Sequence, residues 1–229
     1  MVIACIVCLD SAFAHFPLHL PSAMEPFHRR ERRLLADLLL QLGPEAPTLC
    51  DGWLARDLAA HLVLRESTIL ASAGIVLGPL AGRTAAVQAR LGQQPWEQLV
   101  QAVRDGPPRR SPMRIPLIDR GANTLEFFIH HEDVRRAQAA WAPRQLDAEA
   151  EQTVWKNRRS TRFTLGRQAQ TGIVLRWPDH EDYVVKGGEP RVVLSGAPSE
   201  LMLYASGRRQ AAAVGVEGPP EALAYLSQG

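Results

Sequence analysis

The chain is poor in cysteine and lysine, short of long apolar runs, and almost uncharged overall. Its three cysteines, Cys5, Cys8 and Cys50, are too few and too unevenly placed for a disulfide framework. That points to a reducing compartment, of which the cytoplasm is the simplest. Cys5-x-x-Cys8 followed by His15 and His19 does not make a zinc finger, because the two pairs stand too close together. A formal net charge of +2 argues against nucleic acid as a partner, since polyanion binders concentrate basic charge. All but two of the 26 basic residues are arginines, the exceptions being Lys156 and Lys186, and that bias names no function. The most apolar internal stretch, Leu70 to Gly82, is short and broken by Gly74, Gly78 and Pro79, so no membrane span is expected. A small molecule is left as the expected partner, with the oligomeric state open.

What is present suffices for a folded protein. With 229 residues, 46% of them apolar, the chain can bury a core as one large domain or two small ones. Residues 1–23 carry an apolar run and Ala-Phe-Ala at 12–14 but no basic region before it, unlike a signal peptide. They are expected to be a disordered tail or a mis-called start ahead of Met24.

From Glu25 to Leu42, Leu34, Leu35, Leu38, Leu39 and Leu42 recur at helical spacing, with Arg29 to Arg33 assigned to solvated faces. Gly43 and Pro44 end that helix, and a second is expected from Leu54 to about Ala73. Shorter helices are expected over Arg83 to Leu91 and Pro95 to Arg104, and a long one over Asp119 to Ala139. One more, Asp147 to Leu165, would connect two parts of the chain. Beyond it, Gly172 to Trp177, Asp182 to Lys186 and Pro190 to Leu194 are short β-branched runs between Pro-Asp, Gly-Gly and Ser-Gly turns, which predicts an antiparallel meander. A helix over Pro198 to Ser206, a strand over Ala211 to Val216 and a helix over Pro219 to Ser227 complete the pattern. The fold class is therefore α followed by α+β: an all-helical domain over 24–142, a connecting helix over 143–170 and a small α+β domain over 171–229.

One constellation carries chemistry. Glu126 and His130 stand one helical turn apart and face the same way, and His61 lies on the apolar stripe of another helix. A carboxylate and two imidazoles brought together could hold a divalent metal with open coordination positions, zinc first, with manganese, iron or nickel as alternatives. The same spacing also occurs in helices that bind nothing. His131 and Asp133 could be ligands, partners that orient His130, or surface groups.

The segment Gly52-Trp53-Leu54-Ala55-Arg56-Asp57-Leu58-Ala59-Ala60-His61 resembles the Gly-Trp…Arg-Asp-Leu…His motif that opens the second helix of DinB-like metalloenzymes. Glu126 to Asp133 resembles the Glu-x-x-x-His-His-x-Asp segment of the mycothiol-dependent maleylpyruvate isomerase-like branch. The resemblance runs from Met24 to the end, and Ala46 to Cys50 with Gly121 to Arg136 is most similar to an uncharacterised metal-binding subfamily of that superfamily. It implies a DinB-like four-helix bundle, a sterol-carrier-like C-terminal domain, and His61, Glu126 and His130 as metal ligands. It further implies a thiol-dependent isomerase or transferase, in which metal-bound thiolate from a low-molecular-weight thiol such as mycothiol is the nucleophile. Arg208 corresponds to an arginine near the active site of that branch and is the one catalytic candidate; a helix-terminal cation is its plainer reading. Leu54 departs from the pattern, which has a helix-capping Thr, but Asp57 can still favour the helix start. Cys50 reads as a small buried hydrophobe more readily than as a reactive thiol. A hydrolase using metal-bound water, or a non-catalytic metal- or small-ligand-binding module, remains the alternative. Apart from the ligands, only Arg65, Glu66, His131 and Arg208 stand near enough to add chemistry.

Overall fold

Pro26, with no N–H to leave unpaired, precedes the first helix, α1 (Phe27–Leu42), and Gly43 closes it at φ 86°, a conformation that costs glycine little. The computed structural model describes residues 25–67, 81–109 and 111–227. The expected N-terminal extension with Cys5 and Cys8, the residues of the second helix beyond Ser67, and most of Leu70 to Gly82 lie outside them. Among the described residues four more helices follow in the N-terminal part: α2 (Ala55–Ser67), α3 (Ala81–Gly92), α4 (Trp96–Asp105) and α5 (Pro116–Arg136). Pro116 sits at the first position of α5, where its fixed φ suits the helix. Among the described residues no helix is long and apolar enough to cross a membrane.

After α5 come α6 (Ala148–Lys156) and α7 (Thr161–Gln168), and then strands β1 (Gly172–Arg176), β2 (Tyr183–Lys186) and β3 (Arg191–Ser195). Helix α8 (Pro198–Ala205), strand β4 (Gly215–Glu217) and helix α9 (Pro220–Ser227) follow. The chain is thus mixed, helices first and a small four-stranded sheet with helices afterwards.

Three expectations about the secondary-structure elements are corrected. The helix expected over Asp147 to Leu165 is two, parted by a 3-10 turn at Arg158–Ser160. There the Ser160 hydroxyl donates to the Asn157 carbonyl and the Thr161 hydroxyl to that of Arg158, local bonds that compete with a continuous helix. The sheet is not a meander. Its order is β2-β1-β3-β4, with β1 antiparallel to β2 but parallel to β3. The short connection from β2 to β3 crosses the end of β1, and a Cβ on Gly172 would stand 2.3 Å from the Gly188 carbonyl oxygen. Glycine at 172 is what lets the crossing pass. The last strand covers Gly215–Glu217 rather than Ala211 to Val216. Side chains take the earlier backbone groups: Arg136 donates to the Ala211 carbonyl and Glu200 accepts from the Ala213 N–H.

Helix α5 is the wall between two apolar cores. Phe127 enters one with Leu35, Leu39, Leu58, Leu62 and Leu99, while its neighbour Phe128 enters the other with Val154, Leu194 and Leu201. From Asn123 to Arg136 no residue of this helix is exposed, so the charged residues there must find partners. Glu132 accepts from Arg135, Arg136 and Arg144, and Arg136 forks Glu200 of α8 at 2.6 and 2.8 Å. Burial corrects the solvated reading of Arg29 to Arg33 at two positions, Glu31 and Arg32, while Arg29 is exposed as expected. Arg32 is buried and forks Glu66 at 2.5 and 2.6 Å, and buried Glu31 accepts from His131 and Arg144.

Candidate metal centre

The loop before α2 places the first ligand. Thr48 accepts from the Cys50 N–H with its hydroxyl oxygen and donates to the Trp53 carbonyl, and Gly52 turns the chain at φ 70°. Asp57 then reaches back to accept the Leu54 N–H at 3.1 Å, so the aspartate in the first turn supports the helix start where a capping Thr is missing. Two turns further on, His61 projects towards α5 with its ring 5.1 Å from that of Trp53. The loop is tied to α5 as well, since the Leu49 N–H donates to the Asp133 carbonyl at 3.0 Å.

Along α5, Glu126, His130 and Asp133 form one stripe. His61 Nε2 stands 3.3 Å, and His130 Nε2 3.4 Å, from the same oxygen, Glu126 Oε1. Bonds of ~2.0–2.2 Å at tetrahedral angles separate donor atoms by roughly 3.4 Å, so both separations fit two edges of a metal's coordination shell. The three donor atoms all lie within 4.8 Å of one another. The Glu126 side chain is 23% exposed, which leaves one side of the group reachable from solvent. Burial alone would push the Glu126 carboxyl up, but hydrogen bonding with His130 and His61 and the charge of Arg65 hold it far below the carboxylate range. Burial likewise disfavours a cationic His130, and its bonds to Asp133, Cys50 and Glu126 raise it well above the usual imidazole value.

A second set of contacts orients the first. Asp133, its side chain fully buried, lies 2.9 Å from His130 Nδ1, which turns Nε2 towards Glu126. Arg208, just past α8, forks Asp133 with Nε and Nη2, both at 2.7 Å. The remaining nitrogen of that guanidinium donates to the Ser206 carbonyl. Cys50 joins the cluster, its Sγ donating to Asp133 at 3.2 Å and lying 3.5 Å from Arg208 Nη2. On the other side of the ligands, Arg65 Nε is 3.2 Å from Glu126 Oε1, while its two other nitrogens donate to Asn123 and the Ala122 carbonyl.

Cys50, His130 and Asp133 form a second group whose donor atoms lie within metal-binding distance of each other. Two features weigh against that side. His130 Nδ1 is already engaged by Asp133, and the permanent Arg208 cation sits where a second cation would be repelled. The His61, Glu126, His130 side also has a cation beside it, Arg65, but there both imidazoles turn Nε2 to one carboxylate oxygen and neither Nε2 is held by Asp133.

Of the residues singled out in the sequence, His61, Glu126 and His130 come together. Arg208 reaches the cluster only through Asp133 and Cys50, so it is a positioning residue rather than a group aimed at the open face. His131 turns away to Glu31 at 2.8 Å, and Glu66 pairs with Arg32. Cys50, read from the sequence as a small buried hydrophobe rather than a reactive thiol, is half-buried, and the tie between Leu49 and Asp133 brings it to His130 and Asp133. Compared with models of known families, with curated proteins and with solved structures, the chain matches none.

Proposed function

We propose that this chain is a divalent-metal protein whose ion is held by His61, Glu126 and His130, zinc being the first candidate. The observation that carries the reading is the convergence of two imidazole nitrogens on one carboxylate oxygen at tetrahedral-edge separations. We further take it to be a thiol-dependent isomerase or transferase, on the resemblance of its motifs to the DinB-like, mycothiol-dependent maleylpyruvate isomerase-like proteins. In that reading residues 24–142 are the metal-binding bundle and residues 171–229 the sterol-carrier-like domain.

A divalent ion with open positions acts as a Lewis acid that lowers the pKa of a bound water or thiol. The protein's own part is binding and positioning. Glu126 supplies the one ligand charge, Asp133 fixes which nitrogen of His130 faces the metal side, and Arg208 keeps Asp133 ionised. Arg65 offsets part of the Glu126 charge and holds its orientation.

One observation favours a non-catalytic binding module as a second reading. Asp133, Arg208 and Cys50 bind each other, and Glu66 and His131 bind elsewhere, so among the described residues no side chain beside the ligands is left free for acid–base work. The test is titration of the cobalt-substituted chain with mycothiol or glutathione, in wild type and Cys50→Ala. A thiolate-to-cobalt charge-transfer band that appears on thiol addition in both supports the thiol-dependent reading. Cobalt d–d bands unmoved by either thiol leave the binding module.

A further inference from the structure

The charges around His61, Glu126 and His130 are fixed by named pairs, and they decide what kind of ligand an ion there accepts. Behind His130, Asp133 and Arg208 cancel, the guanidinium forking the carboxylate at 2.7 Å with two nitrogens. Beside the ligands, Arg65 cancels Glu126, with Nε 3.2 Å from Oε1. Among the described residues no other carboxylate lies within ion-pair distance of Arg65. Imidazoles that bind a metal are neutral. A divalent ion held by this set therefore keeps both of its charges, whereas the same three ligands without Arg65 would leave it one.

Arg65 is held in that place from behind. Its Nη1 donates to Asn123 Oδ1 at 2.5 Å and its Nη2 to the Ala122 carbonyl at 2.6 Å. Asn123 is fully buried, and its Nδ2 donates to two carboxylates, Glu66 at 2.8 Å and Asp119 at 2.7 Å. Those two acceptors fix the amide so that its oxygen faces Arg65. Glu66, the sequence neighbour of Arg65, is forked instead by Arg32. Asn123 thus gives Arg65 a neutral partner in a place where a carboxylate would cancel its charge a second time.

We propose that Arg65, positioned by Asn123, is the specificity residue of the metal centre and makes its open positions select an anionic ligand over a neutral one. The inference rests on the metal reading and adds the charge class of the ligand to it. A bound anion meets the two uncompensated charges of the ion in a partly buried setting, where Coulomb attraction is stronger than in water. A neutral donor gains nothing from Arg65. By linkage the anion also tightens the hold on the ion by the same factor.

The test titrates the cobalt-loaded full chain with azide, an anion, and with imidazole, a neutral donor, following the visible cobalt bands in wild type, Arg65→Gln and Arg65→Lys. Loss of one nearby charge should weaken azide ~10–100-fold in Arg65→Gln and leave imidazole within about threefold. Arg65→Lys, which keeps the charge, should restore most of the azide affinity. One cobalt per chain is expected in all three. Equal weakening of both probes, unchanged azide affinity, or a folded Arg65→Gln that holds no cobalt would make Arg65 a support for Glu126 only and overturn the inference while the metal reading stands. A wild type that holds no cobalt overturns the metal reading first, and the inference with it.

Discussion

Replacing Asp133 by Asn tests whether the cluster behind His130 positions a metal ligand. The substitution keeps shape and removes charge. In the native chain the carboxylate accepts from Arg208 twice at 2.7 Å, from the Cys50 thiol at 3.2 Å, and faces His130 Nδ1 at 2.9 Å. An Asn oxygen in the place of Oδ2 can still face Arg208 Nη2 and His130 Nδ1, but the charge is gone and the amide nitrogen then opposes Arg208 Nε. Loss of a partner behind a metal-bound histidine lowers metal affinity by roughly 10–100-fold, equivalent to about 1.4–2.8 kcal/mol. The metal-free chain should also lose stability. Breaking a buried charge pair costs about 3–5 kcal/mol, and because Arg208 keeps some access to solvent the lower end applies. Zinc competition against a chromophoric chelator measures the first effect, and urea unfolding of the metal-free protein the second. Zinc affinity within twofold of wild type, in a variant that does lose stability, would show that Asp133 only holds the fold together.

Three further outcomes are expected. Glu31, held down to about 2 by its bonds to His131 and Arg144 against the opposing effect of burial, contributes stability that is full above pH 4.5 and is lost as pH falls from there towards 2. The shift corresponds to about 3 kcal/mol, so acid unfolding of wild type and Glu31→Gln should converge over that window; a stability difference independent of pH would contradict it. Gly172→Ala should cost about 1–3 kcal/mol in chemical denaturation, because the added methyl meets the Gly188 carbonyl at 2.3 Å. Gly187→Ala, with nothing within 4 Å, should stay within about 0.5 kcal/mol, and equal effects at both positions would refute the crossing as the cause.

What could be read beforehand was whatever depends on spacing along one element. Glu126 and His130 share a face because they are one turn apart, and the long helix that carries them was visible with its ends shifted by about one turn. His61 came from a motif, since nothing in periodicity says which residue of another helix will meet that face. Asp133 stood on the right stripe without a fixed role, because the choice between ligand and positioner depends on Arg208, 75 residues further on. Cys50 was set aside for the same reason. Arg32 and Glu31 were assigned to water by a rule that holds when one helix face is free, and α1 has its charged side packed against other helices. The sheet order escaped because Gly187-Gly188 reads equally as a hairpin turn and as a crossing; Gly172, across from it, decides the matter only in three dimensions.

The central claim is that His61, Glu126 and His130 form a metal site. It is tested most directly by the metal content of the full chain after zinc loading and dialysis, in wild type, His61→Ala and Glu126→Gln. The account predicts one ion per chain in wild type and at most a small fraction of that in either variant, with Cys50→Ala unchanged. A wild type that retains no metal, or variants that retain it while Cys50→Ala loses it, would contradict the site.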